Sequence, residues 1–249
     1  MILPWLEDLG GTFPNPTAAL KEPNGLLCAG GDLEPDTLIS AYSQGIFPWF
    51  DEDQPILWWS PDPRMIIELS EFSISRSLRK FINKRRLRVT IDSAFDTVIR
   101  ACAAPRDELG GTWITEDMIE AYCRLNALGF AHSVEVWDDQ TLVGGLYGVA
   151  LGPNFFGESM FSKVSNASKV ALATLATQLI RWGFSLIDCQ VSNPHLRSLG
   201  AMEISRERFL ARITAQCYED ATATAWSLDM DLSHGPTSES IYGKTAFHE

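Results

Sequence analysis

Apolar positions follow two rhythms along the chain, and the change from one to the other divides it. Over residues 1–63 no rhythm lasts, because FPNP, EPNG and SPDPR interrupt any helix before it grows. The exception is Leu33 to Gln44, where Pro35 suits a helix's first turn and Leu38, Ile39 and Tyr42 recur at helical spacing. From residue 65 the segments lengthen. Asp92 to Ala103 (Ala94, Phe95, Val98, Ile99, Cys102) and Thr115 to Leu128 (Met118, Ile119, Tyr122, Leu125) repeat at three and four, each behind a capping residue. His132 to Trp137, Leu142 to Ala150 and Phe155 to Phe161 read as three strands, joined by turns at Asp138-Asp139 and Gly152-Pro153-Asn154. Ser165 to Trp182 is predicted as a long helix ended by Gly183, with Val170, Leu172, Leu175, Leu179 and Ile180 on its buried face. A buried strand (Phe184 to Val191), a short helix (Asn193 to Leu199) and a last strand (Ala201 to Ile204) follow.

These elements predict an α+β protein. A small loop-rich domain over residues 1–64 precedes a mixed-sheet domain over 65–218. Its order of helices, antiparallel meander, helix, strand, helix and strand looks like the N-acetyltransferase (GNAT) type, a likeness of fold that fixes no substrate. Residues 219–249, rich in Ala, Thr, Ser and acids, read as an acidic, loosely held tail.

Charge sharpens the picture. With 20 basic against 32 acidic residues the net charge is −12, which excludes a protein that coats nucleic acid without selection. Yet Ser73 to Ile91 holds seven of the basic residues, Arg76, Arg79, Lys80, Lys84, Arg85, Arg86 and Arg88, and none of the acidic ones. Like charges at helical spacing repel, so this run is either a solvated basic helix or a site for a phosphate backbone. An acidic remainder would repel a long duplex, so a compact partner such as tRNA fits the second reading. The five cysteines are widely spaced and include no CxxC, a pattern of reduced thiols. No apolar run reaches the ~18 residues of a membrane span, and the N-terminus lacks the basic start of a signal peptide. The expected compartment is the cytoplasm, with no membrane partner.

Several residues could carry chemistry. HExxH, GxSxG and Walker motifs are absent, as is any carboxylate cluster with metal spacing, so no metal is expected. Trp49, Trp58 and Trp59 form either a satellite core or a stacking surface for a ligand. In LIDCQV, Asp188 and Gln190 are two apart and share one strand face, while Cys189 points away as a packed thiol. Asp188 closes a mostly apolar run, so it must be paired, functional or a loop brace. In FFGESMFS, Phe156, Glu158 and Met160 are placed on one face, where a carboxylate needs a cation or donors; here too a loop brace is the alternative. An acetyl-CoA enzyme of this fold would carry a glycine-rich pyrophosphate loop before the long helix, but that junction reads SKVSNASK.

The blocks KEPNGLLCAGGDL (Lys21 to Leu33), YSQGIFPWF (Tyr42 to Phe50), PILWWSPDPR (Pro55 to Arg64), GTWIT (Gly111 to Thr115), HSVEVW (His132 to Trp137), LVGGLYGVALG (Leu142 to Gly152), FFGESMFS (Phe155 to Ser162), NASK (Asn166 to Lys169) and LIDCQVSNPHLRSLGA (Leu186 to Ala201) together resemble the bacterial leucyl/phenylalanyl-tRNA–protein transferase family over residues 13–210. The resemblance implies transfer of Leu or Phe, and in some cases Met, from aminoacyl-tRNA to proteins beginning with Arg or Lys, marking them for degradation. Because the ester is already activated, no cofactor is implied. By the same resemblance Asp188 and Gln190 are the catalytic pair, with Asp188 orienting Gln190 and Gln190 accepting a hydrogen from the attacking amine. Trp49 and Trp113 would hold the terminal adenosine, and Glu158 either the basic N-terminal residue or the ribose hydroxyls. Leu146, Phe155, Leu175 and Leu179 would form the acyl pocket, and Arg76 to Arg88 would meet the acceptor stem. The rival readings are an acetyl-CoA-dependent N-acyltransferase and a noncatalytic tRNA-binding module.

Overall fold

The computed structural model describes residues 3–84, 86–104, 113–216, 226–237 and 240. Arg85, at the centre of the basic run, and Gly111 and Thr112, which precede Trp113, lie outside them.

The proline-rich start is not all loop. It contains β1 (Leu26–Ala29), α1 (Pro35–Ser43), β2 (Phe47–Pro48) and β3 (Leu57–Trp59), with the three strands paired antiparallel in the order β1-β3-β2. Strands of two to four residues escape a search for alternation. Trp58 fills the inside of this sheet, fully buried, edge-on to Phe13, with its indole N–H donating to the Gly30 carbonyl at 2.9 Å. Trp59 and Trp49 instead form a tilted pair at 5.4 Å on the rim, where Trp49 is 40% exposed. Of the three tryptophans, Trp58 is core, Trp59 is half-buried against it, and Trp49 is exposed.

The main sheet consists of β4 (Arg64–Glu68), β5 (Arg88–Ile91), β6 (Ala131–Asp138), β7 (Thr141–Leu151), β8 (Asn154–Ser162), β9 (Leu186–Gln190) and β10 (Met202–Ile204). Its order is β10-β4-β9-β8-β7-β6-β5. All neighbours pair antiparallel except β8 and β9, which run parallel because α5 (Ala167–Arg181) crosses between them. This is the expected meander, helix and strand in the expected order. Val170, Leu172, Leu175 and Leu179 of α5 pack on one sheet face together with Leu78 and Ile82 of α2 (Arg76–Ile82). Against the other face lie α3 (Phe95–Ala103), α4 (Glu116–Ala127), the N-terminal sheet and α7 (Arg206–Gln216). The predicted short helix after β9 is a single turn, α6 (Pro194–Arg197).

Residues 226–237 depart from the expected loose tail. Trp226 stacks on the His132 ring at 3.5 Å and touches Phe155, Trp182 and Phe184. Arg181 pairs with Asp229 and Asp231 at 2.5 and 2.8 Å, and the Val89 N–H donates to the Ser233 carbonyl. One tryptophan and one arginine anchor a segment whose average composition reads as unstructured.

Candidate active site

Strands β8 and β9 pair only from Asn154↔Leu186 to Phe156↔Asp188, after which each continues without the other. A cavity of about 210 Å3 lies where they part. Leu146, Phe155, Met160, Leu172, Leu175 and Ile187 give it apolar walls, and Trp113 lies at its edge. Its polar lining includes Glu158, Asp188, Cys189, Asn193 and His195.

Two β-bulges shape the polar side. Tyr147 pairs with Ser159 and Gly148 with Gly157, so Glu158 is the extra residue of β8. Met65 pairs with Gln190 and Ile66 with Asp188, so Cys189 is the extra residue of β9. A bulge breaks the period of two and re-aims side chains. That corrects one expectation. Phe156, Glu158 and Met160 do not share a face, since Phe156 packs under α3 and α4 whereas Met160 packs with α5. Cys189 does point away from Asp188: its thiol packs with the α5 side of the sheet, whereas the Asp188 carboxylate meets Arg64 beside Phe47 and Phe209 on the other side. Burial pushes the Cys189 thiol far up, so it stays neutral.

Asp188 is fully buried, and so is its partner Arg64, whose Nε and a terminal nitrogen donate to the two carboxylate oxygens at 2.8 and 2.6 Å. The guanidinium lies between the rings of Phe47 and Phe209, 4.8 and 4.6 Å from their centres, and also donates to the Gly45 carbonyl. Asp188 Oδ1 accepts the backbone N–H of Gln190 at 2.9 Å. It therefore fixes the main chain of Gln190 rather than its side chain, which differs from the expected orientation through the amide. Gln190 adopts a left-handed backbone, φ 61°, which few non-glycine residues tolerate without local compensation.

Glu158 holds the Gln190 side chain. The amide nitrogen of Gln190 donates to Glu158 Oε1 at 2.6 Å, the Tyr42 hydroxyl donates to the same oxygen at 2.8 Å, and the Tyr122 hydroxyl donates to Oε2 at 3.2 Å. Tyr42 and Tyr122 also touch each other through their hydroxyls. Burial, opposed by these donors, raises the Glu158 carboxyl from the usual carboxylate range to about 7.

Among the expected acyl-pocket residues, the cavity brings together Leu146, Phe155 and Leu175 but not Leu179, which is fully buried one turn further along α5. Trp113 and Glu158 line it; Trp49 and Gln190 do not, although Gln190 reaches it through Glu158. Sequence reasoning missed Arg64 and the pair Tyr42 and Tyr122, counting both tyrosines only as helix-face positions. Each carried a signal. A buried phenol needs a partner, and Asp188 in an apolar run needs a cation. On the basic run, Arg76, Lys80, Lys84, Arg86 and Arg88 are exposed and Arg79 is half-buried; among the described residues no salt bridge engages any of the six. Arg88 stacks on Trp137 at 5.3 Å.

Residues 66–214 match the model of the leucyl/phenylalanyl-tRNA protein transferase family, and residues 31–62 match that of its N-terminal domain. A protein of Hahella chejuensis named leucyl/phenylalanyl-tRNA–protein transferase is 56% identical over 229 residues, 92% of this chain and 97% of that protein. One of the same name from Pseudomonas fluorescens is 60% identical over 208 residues, 84% of this chain and 92% of that protein. Among solved structures, L-PGS from Bacillus licheniformis aligns with 65% of this chain and 52% of its own at 12% identity and a TM-score of 0.39, too slight a likeness to bear on the site.

Proposed function

The chain belongs to the leucyl/phenylalanyl-tRNA–protein transferase family, and from that premise we propose that it transfers Leu or Phe from aminoacyl-tRNA to the α-amino group of proteins beginning with Arg or Lys. The reaction is aminolysis of an ester. The amine nitrogen bonds to the acyl carbon, the bond to the ribose oxygen breaks, and one proton passes from nitrogen to that oxygen.

The observation that carries this reading at the site is an apolar cavity with one polar side, held rigid by hydrogen bonds. Leu146, Phe155 and Leu175 take the aliphatic or aromatic side chain of the aminoacyl group. Such a pocket rejects one missing methylene by only about 1–3 kcal/mol, which suits an enzyme that accepts both Leu and Phe. Trp113 at the cavity edge and Trp49 on the rim of the N-terminal sheet stack on the terminal adenosine, each stack worth about 1–3 kcal/mol. Gln190, its amide nitrogen committed to Glu158, offers its carbonyl oxygen to an N–H of the incoming amine. Asp188 and Arg64 act one step back by fixing the Gln190 backbone. The cytoplasm, where aminoacyl-tRNA is made, is the compartment this reaction requires, and among the described residues no helix is long and apolar enough to cross a membrane.

The exposed basic residues of α2, of β5 and of the connection between them meet tRNA phosphates. Lys80→Ala combined with Arg86→Ala weakens tRNA binding and reduces the log–log salt slope by roughly 1.5, at about 0.7–0.9 per lost phosphate contact. An unchanged slope in filter-binding titrations places the tRNA elsewhere. The activity is tested by supplying labelled Leu-tRNA or labelled acetyl-CoA with a peptide starting in Arg. Label enters the peptide from Leu-tRNA only; transfer from acetyl-CoA, or tRNA binding without transfer, refutes the reading.

A further inference from the structure

The hydroxyls of Tyr42 and Tyr122 and the Glu158 carboxyl share too few protons for their contacts unless Glu158 carries one. Three oxygen–oxygen contacts close a ring: Tyr42 to Tyr122, Tyr42 to Glu158 Oε1, and Tyr122 to Glu158 Oε2. Each contact needs one proton between its oxygens. With Glu158 ionised, the two phenols supply only two protons, and one pair of oxygens faces each other lone pair to lone pair. Protonation of Glu158 supplies the third. The ring then closes in one sense, with Glu158 donating to Tyr42, Tyr42 to Tyr122, and Tyr122 back to Oε2. The phenols cannot make up the deficit by taking up protons, and burial beside Glu158 holds both far above the ordinary tyrosine range against losing one.

The surroundings favour one extra proton over a salt bridge. Arg64 is a buried cation, but both of its donors toward this region are spent on Asp188. From β9, Asp188 opposes a second negative charge, and Gln190 gives a neutral donor to Oε1. Tyr42 from α1 and Tyr122 from α4 are neutral donors, and Cys189 and His195 share the cavity lining. Glu158 itself lines that cavity and is only 9% exposed.

We infer that Glu158, closed into a ring with Tyr42 and Tyr122, is the acid–base group of the transfer reaction, taking the proton from the attacking amine and giving it to the departing ribose oxygen. This rests on the reading of the cavity as the aminoacyl site. Attack by the amine forms the C–N bond and leaves a protonated nitrogen. Ionised Glu158 accepts one of its protons, and the tyrosine ring closes around it. The C–O bond then breaks, and one proton passes from Glu158 to the 3′-oxygen of the tRNA. Glu158 returns to its ionised state with no net change. A neutral amide such as Gln190 cannot bind and release a proton at this pH, so Gln190 aligns the amine while Glu158 moves the charge.

The test is the pH profile of kcat/KM for Leu transfer to a peptide starting in Arg, together with tRNA affinity, in wild type, Glu158→Gln and Tyr42→Phe. As pH falls, the wild type loses rate with unit slope below about 7.8, where the acceptor amine protonates, and with a second unit of slope below about 7 as Glu158 protonates. Glu158→Gln binds tRNA as before, loses about 100-fold or more in kcat and keeps only the amine slope. Tyr42→Phe keeps both slopes but moves the second to lower pH, because the ring that calls for a third proton is open. Wild-type turnover and both slopes in Glu158→Gln, or an unmoved second slope in Tyr42→Phe, overturns the inference while leaving the transferase reading intact. A wild type that transfers nothing overturns the transferase reading and this inference with it. Should Glu158→Gln not fold, the position of the second slope in Tyr42→Phe decides alone.

Discussion

Arg64→Met lowers the unfolding free energy by about 3–5 kcal/mol, because it leaves a buried carboxylate without its cation. Arg64 and Asp188 are both fully buried and joined by two hydrogen bonds of 2.8 and 2.6 Å. Met fills much of the slot between Phe47 and Phe209, so lost packing is the smaller part of the effect. Asp188 is the larger part, since at neutral pH it must either take up a proton or remain charged in an apolar setting. The double variant Arg64→Met with Asp188→Leu removes both charges, and its stability recovers toward wild type. Urea unfolding curves of the four proteins measure this directly. A single variant as stable as wild type, or a double variant worse than the sum of the two single ones, shows that the pair does not act through its charges.

Gln190→Gly separates stability from catalysis. The left-handed backbone of Gln190, φ 61°, costs a residue with a side chain about 1 kcal/mol or more that glycine does not incur. The variant therefore gains stability, offset in part by the lost hydrogen bond to Glu158. Turnover falls about 100-fold, because the amine is no longer held in line with the ester. Affinity for tRNA stays unchanged, since the basic run and the aromatic rim are untouched. Melting temperature, tRNA binding and single-turnover rate settle the matter together. A variant that is less stable and equally active refutes both the strain at this position and the proposed role of its amide.

How much of this was legible in the sequence depends on the length of each signal. The helix α5 and the meander β6, β7 and β8 announce themselves because a 3.6-residue or two-residue rhythm runs for eight residues or more, allowing for the turns between them. The sheet β1-β3-β2 does not, since its strands are two to four residues long and lie among prolines. Strand β4 was hidden for another reason. It opens on Arg64, which reads as the end of a polar loop until its partner Asp188, 124 residues later, is seen beside it. Asp188, Gln190 and Glu158 could be picked out as polar residues in apolar runs, but how they are aimed could not. Both bulges preserve the apparent alternation in sequence while breaking it in space, so Glu158 turns toward two tyrosines that the sequence places 116 and 36 residues away. The tail misled in the opposite sense, because average composition conceals one well-placed Trp226.

The central claim is that the aminoacyl group sits between Leu146, Phe155 and Leu175 with its ester beside Gln190 and Glu158. The most direct measurement is a crystal structure of the protein with leucyl-adenosine in which the ester is replaced by an amide. The account predicts the leucyl side chain inside the cavity, the adenine against Trp113, and the reacting carbonyl carbon facing the Gln190 and Glu158 side chains with room for an amine between. A leucyl group bound outside that cavity, or a carbonyl turned away from both side chains, contradicts it.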